Sequence, residues 1–161
     1  MLSSVKHWGA AAGLLAGLAL AGCQQPLRAD GNKAVLEIPA AQGEAAQKAD
    51  AQDHPVELVM GQDLEVRLGS QAGTGYEWQL AGPAPAVVQM EGQPSTAPAA
   101  APAGQPSGAV GAGTWTTFTF HSVACGDGSI RFLLRRSWEP VEQAARQVNV
   151  PLTVVAPKKK D

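Results

Sequence analysis

Residues 129–136, SIRFLLRR, sort onto two sides by alternation: Ile130, Phe132 and Leu134 fall on one, Arg131, Leu133 and Arg135 on the other. Side chains in a strand alternate between faces, so this run is a strand with one dry side, and it requires a sheet with something packed against that side. Just before it, residues 114–123 are rich in Thr, Phe, Trp and Val, the types that fit a pleated, half-buried surface. Between the two runs Cys125-Gly126-Asp127-Gly128 is a turn signal whose glycines accept positive φ. The pair reads as a β-hairpin. Its open ends, the glycine-rich residues 111–114 and Arg136-Ser137-Trp138, are then neighbours, with offsets from the turn that differ by roughly 10 Å at strand rise.

The rest of the chain adds strands and no convincing long helix. Residues 56–60 and 64–68 read as two strands around a Gly61-Gln62 turn, with Leu64, Val66 and Leu68 facing one way and Glu65 and Arg67 the other. A polar loop follows over residues 69–75, then a strand with Tyr76, Trp78 and Leu80 on its dry face, and a weaker strand over 87–90. Val148, Val150, Leu152 and Val154 make a last strand, and Pro151 within it points to an edge or a bulge. Residues 141–146 allow one helical turn. Several short strands at close spacing indicate an all-β fold, an immunoglobulin-like antiparallel β-sandwich over residues 55–157. The Cys…Trp…Cys pattern of antibody-type domains is missing.

Residues 92–109 interrupt this order. They are nearly all Ala, Pro, Gly, Ser and Gln without formal charge, so the segment reads as a disordered insertion that buries too little to offset its ordering entropy. Residues 23–54 are expected to be a flexible tether, with residues 34–38 as an optional short strand, and residues 158–161 a basic tail.

The N-terminus has the order of a secretory signal: Lys6, then an Ala/Gly/Leu-rich apolar run too short for a comfortable membrane span. It ends in Leu20-Ala21-Gly22-Cys23, which resembles the lipobox of bacterial lipoproteins. That resemblance implies a signal peptide over residues 1–22, cleavage before Cys23 and acylation of Cys23, with several acyl chains giving stable membrane anchoring. Gln24 after the cysteine implies, on the same resemblance, the outer membrane of a Gram-negative envelope. Removing residues 1–22 removes Lys6 alone, so the mature formal charge is 11 − 14 = −3. With Cys23 acylated, Cys125 is the single thiol left and no internal disulfide is available.

Function classes fall away on inventory. No basic stripe or arginine–aromatic interleaving advertises nucleic acid. His7 lies in the signal, and His54 and His121 are isolated without metal-ligand spacing. Cys125 has no adjacent base and no carboxylate pair stands in a recognisable setting. The expectation is a non-enzyme without cofactor or metal, acting as a monomer.

Three loops remain: Gln71-Ala72-Gly73-Thr74-Gly75, Gly111-Ala112-Gly113-Thr114 and Arg136-Ser137-Trp138. Their order and flanks resemble the chagasin family of cysteine-protease inhibitors, which has an Asn-Pro-Thr-Thr-Gly loop before an aromatic-x-Trp, a Gly-x-Gly-Gly loop entering Phe-x-Phe, and an Arg-Pro-Trp loop. Thr74-Gly75-Tyr76-Glu77-Trp78, Thr117-Phe118-Thr119-Phe120 and Arg136-Ser137-Trp138-Glu139-Pro140 carry the match over the whole domain. The resemblance implies a chagasin-type sandwich whose three loops form a wedge that enters the cleft of a papain-like cysteine protease, its own or a foreign one, without covalent chemistry. It places the Gln71 loop nearest the catalytic thiol, Trp138 against an apolar wall, and Gly111 and Gly113 where backbone approaches the protease. Gln71, Ala72 and Gly73 stand in for Asn, Pro and Thr, Thr114 for Gly, and Ser137 for Pro; losing both prolines enlarges the unbound loop ensemble. The competing class is a non-inhibitory envelope lipoprotein that binds another protein or a polysaccharide through the same loop end.

Overall fold

Leu64, Val66 and Leu68 point one way, Phe118 and Phe120 meet them from the neighbouring strand, and all five are at most 2% exposed. Ile130, Phe132, Val148, Val150 and Leu152 supply the facing layer. The Phe132 ring packs against Phe118 at 4.8 Å between centroids and against Phe120 at 6.2 Å, an inter-sheet aromatic contact at the centre of the core. This is a two-sheet β-sandwich, seen in a computed structural model that describes residues 28–40, 52–71, 73–99 and 113–158.

The strands are β1 (Arg28–Asp30), β2 (Lys33–Ile38), β3 (Gln52–Asp53), β4 (Val56–Val59), β5 (Asp63–Gln71), β6 (Glu77–Leu80), β7 (Val88–Met90), β8 (Ser95–Pro98), β9 (Gly113–Ser122), β10 (Gly126–Arg135) and β11 (Arg146–Val155). One sheet runs β1-β2-β5-β9, with β7 and β8 sharing the far side of β9. The other runs β6-β10-β11, with β3 and β4 sharing the far side of β11. The long central pairs are antiparallel, whereas β2 on β5 and both β3 and β4 on β11 are parallel. The single turn after β10 is 3-10, over Val141–Gln143, and Arg146 already belongs to β11.

Four expectations change. β9 and β10 are not a hairpin: they lie in opposite sheets, β9 against β5 and β10 between β6 and β11. The connection through Cys125 crosses the sandwich, yet both strands still run between the same two ends, so residues 113 and 136 remain at one pole. Second, β2 belongs to the domain, not to a tether. Ala34, Leu36 and Ile38 are buried in the core, and on the outer face a ladder pins β2 to β5: Glu65, 6% exposed, lies between Lys33 and Arg67, and Arg67 reaches Glu37 at 2.8 Å. Two cations flank the buried carboxylate, which is what makes its burial tolerable.

Third, part of the 92–109 segment is a strand. β8 pairs with Gly113–Ser122 over residues 114–117, and Ala99 N donates to Gly113 O at 2.8 Å. All four β8 residues are exposed, so backbone pairing and not burial holds it. Residues 100–109 lie outside those described, as do 1–22 and 159–161. Fourth, Pro151 is at neither an edge nor a bulge. Its register with Ser129 is unbroken, and on its other side it faces the gap between β3 and β4, where no strand needs its missing N–H.

Candidate functional site

β5, β6, β9 and β10 all reach the same pole, and the site is built on their ends. Gln71, the last residue of β5, pairs with Gly113, the first of β9, so two of the three loops spring from one antiparallel stem. Glu77 at the start of β6 pairs with Arg135 at the end of β10, which brings the third loop alongside. Trp78 ties the two sheets together here: buried at 4% exposure, it donates Nε1–H to Gly69 O at 3.0 Å.

The Gln71 loop turns on itself. Thr74 Oγ1 donates to Gln71 O at 2.9 Å, and Gly73 and Gly75 take φ of +81° and +76°. Both values lie in the left-handed region, where glycine carries no Cβ penalty. A threonine at 73 would be strained in that conformation, so the loop's glycine is fitted to the shape the chain adopts.

Arg136 holds the third loop to the first. Its Nε donates to Thr74 O at 3.2 Å, a terminal nitrogen donates to Glu139 Oε1 at 3.3 Å, and its guanidinium lies 4.5 Å from the centre of the Tyr76 ring. The next arginine is braced too: Arg135 donates to Gln79 Oε1 at 2.9 Å and to Glu139 O at 2.5 Å. On this frame Trp138 stands out. It is 71% exposed, and its indole edge touches the Gly75 α-carbon region. No other large hydrophobic among the described residues is as exposed.

Behind the Gln71 loop the inner faces of the sandwich turn polar. Ser70, Thr114 and Thr116 continue the rows that carry Leu68 and Phe118 in the core, and with Thr96, Tyr76 and Glu77 they line an open groove of about 690 Å³. The Ser70 and Thr114 hydroxyls hydrogen-bond each other at 2.8 Å. The loop therefore projects beyond the packed core.

The structure brings Gln71, Gly73, Thr74, Gly75, Arg136, Ser137 and Trp138 together at one end, with Gly113 and Thr114 at the adjoining stem. Ala72, Gly111 and Ala112 lie outside the described residues, as does Cys23. Three placements differ from the sequence reading. Thr114 turns inward to Ser70, and the near neighbour of Gly113 is Ala99 of the same chain, whose Cβ would stand 3.2 Å from a Cβ at 113. Tyr76 is not core: it is half-buried under Arg136, and it and Glu139 are the supporting residues that sequence reasoning passed over. Trp78 and Leu80 do pack on the core, and Cys125 is exposed at the opposite pole. Among the described residues no group of three or more His, Cys, Asp or Glu side chains converges as a metal site would require.

A family model described as the chagasin family peptidase inhibitor I42 matches residues 57–154. Among solved structures, the cysteine protease inhibitor EhICP2 from Entamoeba histolytica superimposes with a TM-score of 0.54 at 17% identity, covering 76% of this chain and 96% of its own. PbICP-C, solved in complex with falcipain-2, superimposes with a TM-score of 0.52 at 18% identity, covering 75% of this chain and 98% of its own. At these identities the likeness is one of fold. No curated protein matches the chain.

Proposed function

Because the chain belongs to the chagasin family of peptidase inhibitors, which are not enzymes, we propose that it is a reversible, non-covalent inhibitor of papain-like cysteine proteases. The Gln71 loop, the Gly113 stem and the Arg136-Ser137-Trp138 loop occlude the active-site cleft. The observation that carries this reading is the exposed Trp138 standing on Gly75, beside a loop that projects from the core. A large rigid aromatic surrounded by polar groups is the kind of residue that dominates interface energetics.

The division of labour follows from the geometry. The positive-φ loop at residues 73–75 offers backbone where a bulky side chain would be excluded, the approach a narrow cleft requires. Arg136 is occupied by Thr74 O, Glu139 and Tyr76, so its role is to hold two loops in one arrangement before binding. Such preorganisation lowers the ordering cost of association and offsets the loss of the family's two prolines. The PbICP-C complex with falcipain-2 is the model for this assembly.

From the Leu20-Ala21-Gly22-Cys23 sequence we further infer a lipoprotein, acylated at Cys23, anchored at the outer membrane and acting as a monomer. Cys23→Ala then abolishes acyl labelling, and unchanged labelling rules the anchor out. The inhibitory reading is tested by titrating papain with the purified chain. Competitive inhibition that is relieved by dilution supports it. Binding should also persist when the papain thiol is blocked by methylation, because no covalent bond is involved. A chain that leaves papain activity untouched at high micromolar concentration favours the non-inhibitory envelope module instead.

A further inference from the structure

The groove behind the Gln71 loop lies between two strand edges that have no neighbour. Among the described residues β6 pairs with β10 alone and β8 with β9 alone. The register fixes what those edges present. Ala99 N donates to Gly113 O, so Ala97 and Ser95 also face β9 and Thr96 turns its N–H and C=O to the open side. The positions on either side that would repeat this are Pro94 and Pro98, which have no N–H to offer. On β6, Ala81 N donates to Arg131 O, which turns the N–H and C=O of Trp78 outward in the same way.

Side chains add to the excess of acceptors. Thr116 is 7% exposed and lines the groove, and its hydroxyl has no hydrogen-bond partner among the described residues. Glu77 is exposed and is the one charged residue among those described in the lining. Among the described residues no cation lies within ion-pair distance of it. Arg135, its partner across the β6–β10 pair, is held by Gln79 Oε1 and Glu139 O, and Arg136 by Thr74 O and Glu139 Oε1. Glu77 is the middle residue of Tyr76-Glu77-Trp78, between the two aromatics.

We propose that the groove is a subsite for an arginine side chain on the rim of the bound protease, a specificity contact that rests on the inhibitory reading above. Glu77 pairs with the guanidinium, and the Thr116 hydroxyl and Thr96 carbonyl accept from its remaining N–H groups. A guanidinium has five donors and no acceptor, the complement of a cleft with one carboxylate and more acceptors than donors. Lysine brings the charge but only three donors, without the planar fork. A saccharide would need an aromatic face to lie on, and neither is open: Trp78 is 4% exposed, and the Arg136 guanidinium lies 4.5 Å from the centre of the Tyr76 ring. The volume, about 690 Å³, has room for the side chain and the backbone that carries it. The groove opens beside the Gln71 loop, so whatever fills it comes from the margin of the same cleft.

The isotopically labelled full chain, titrated with acetyl-Gly-Arg-Gly-amide and followed by NMR, tests the subsite without a protease. The arginine peptide should shift the amides of Glu77, Thr96 and Thr116, and the citrulline peptide, of the same shape without charge, should not. Glu77→Gln and Thr116→Val should each weaken the response while the rest of the spectrum stays in place. Equal shifts with citrulline, or a response that survives Glu77→Gln, overturns the proposal. Shifts of the same amides on concentrating the chain alone would assign the groove to a second copy and overturn it too. The source of the arginine is tested on a series of papain-like proteases that differ in rim arginines. Glu77→Gln should raise the inhibition constant about fivefold for those that have one and leave the others unchanged. A loss that ignores the rim arginines, or none at all, overturns the protease contact even where the peptide binds. A chain that binds the peptide and inhibits none of the series overturns the inhibitory reading, and the assignment of the arginine to a protease with it.

Discussion

The indole of Trp138 lies over Gly75 so closely that a Cβ added at Gly75 would stand 3.0 Å from Trp138 Cη2. The most exposed aromatic among the described residues is thus seated on a loop residue that has no side chain to displace it. Gly75 also sits at φ +76°, where any L side chain is strained. Gly75→Ala should therefore weaken protease inhibition about tenfold or more, since strain and displacement of Trp138 act together. The strain should also lower stability, by about 1–3 kcal/mol, while the domain stays folded. Undiminished inhibition by the folded variant would remove Gly75 and the seat of Trp138 from the contact.

Gly69 makes a different close approach. A Cβ there would collide with the backbone of Pro39 and Ala40, which follow β2. Gly69→Ala should destabilise the domain by about 1–3 kcal/mol, the range for forced overpacking. Thermal unfolding should show this as a midpoint lowered by at least about 4 °C.

The same segment sets where the domain begins. A chain cut at residue 55 loses the buried Ala34, Leu36 and Ile38 and the ladder from Lys33 to Glu37. Burying a Leu or Ile side chain contributes about 1.5–3 kcal/mol each, so the cut should remove at least about 3 kcal/mol. Urea unfolding of a chain from residue 24 against one from residue 55 measures the difference.

His54 gives stability a pH dependence. Burial holds its pKa below the ordinary 6.5, the nearby Arg146 lowers it further, and Asp53 opposes both; its Nε2 has no hydrogen-bond partner. The folded state thus binds its proton less readily than the unfolded chain. Stability is full above 6.5 and declines as pH falls from there to the lowered folded value. Denaturation midpoints between pH 7 and pH 5 should show this decline, and His54→Gln should flatten it.

Much of this architecture is legible in the chain because one dry face imposes period two. Leu64 to Leu68, Phe118 to Phe120, Ile130 to Phe132 and Val148 to Val154 all announce themselves this way. Alternation does not say which strand lies alongside, so β9 and β10, each buried on one face, read equally well as a hairpin or as a crossing between sheets. β8 has no apolar pattern at all, because pairing with β9 is what orders it. β2 offers only Ala34, Leu36 and Ile38, and its partner β5 is about thirty residues away. At the site, the motifs locate Thr74, Gly75 and Trp138, while the stacking of Arg136 on Tyr76 depends on two loops meeting and leaves no mark in either one.

The inhibition constant of Trp138→Ala against a papain-like protease bears most directly on the whole account. Removing an anchor of this kind costs about 2 kcal/mol or more, which is at least a thirtyfold rise in the constant, with the unfolding midpoint unchanged because the residue is 71% exposed. Inhibition by the unaltered chain that is equally strong without Trp138 would contradict the wedge, and unfolding of the variant would contradict the placement of Trp138 at its tip.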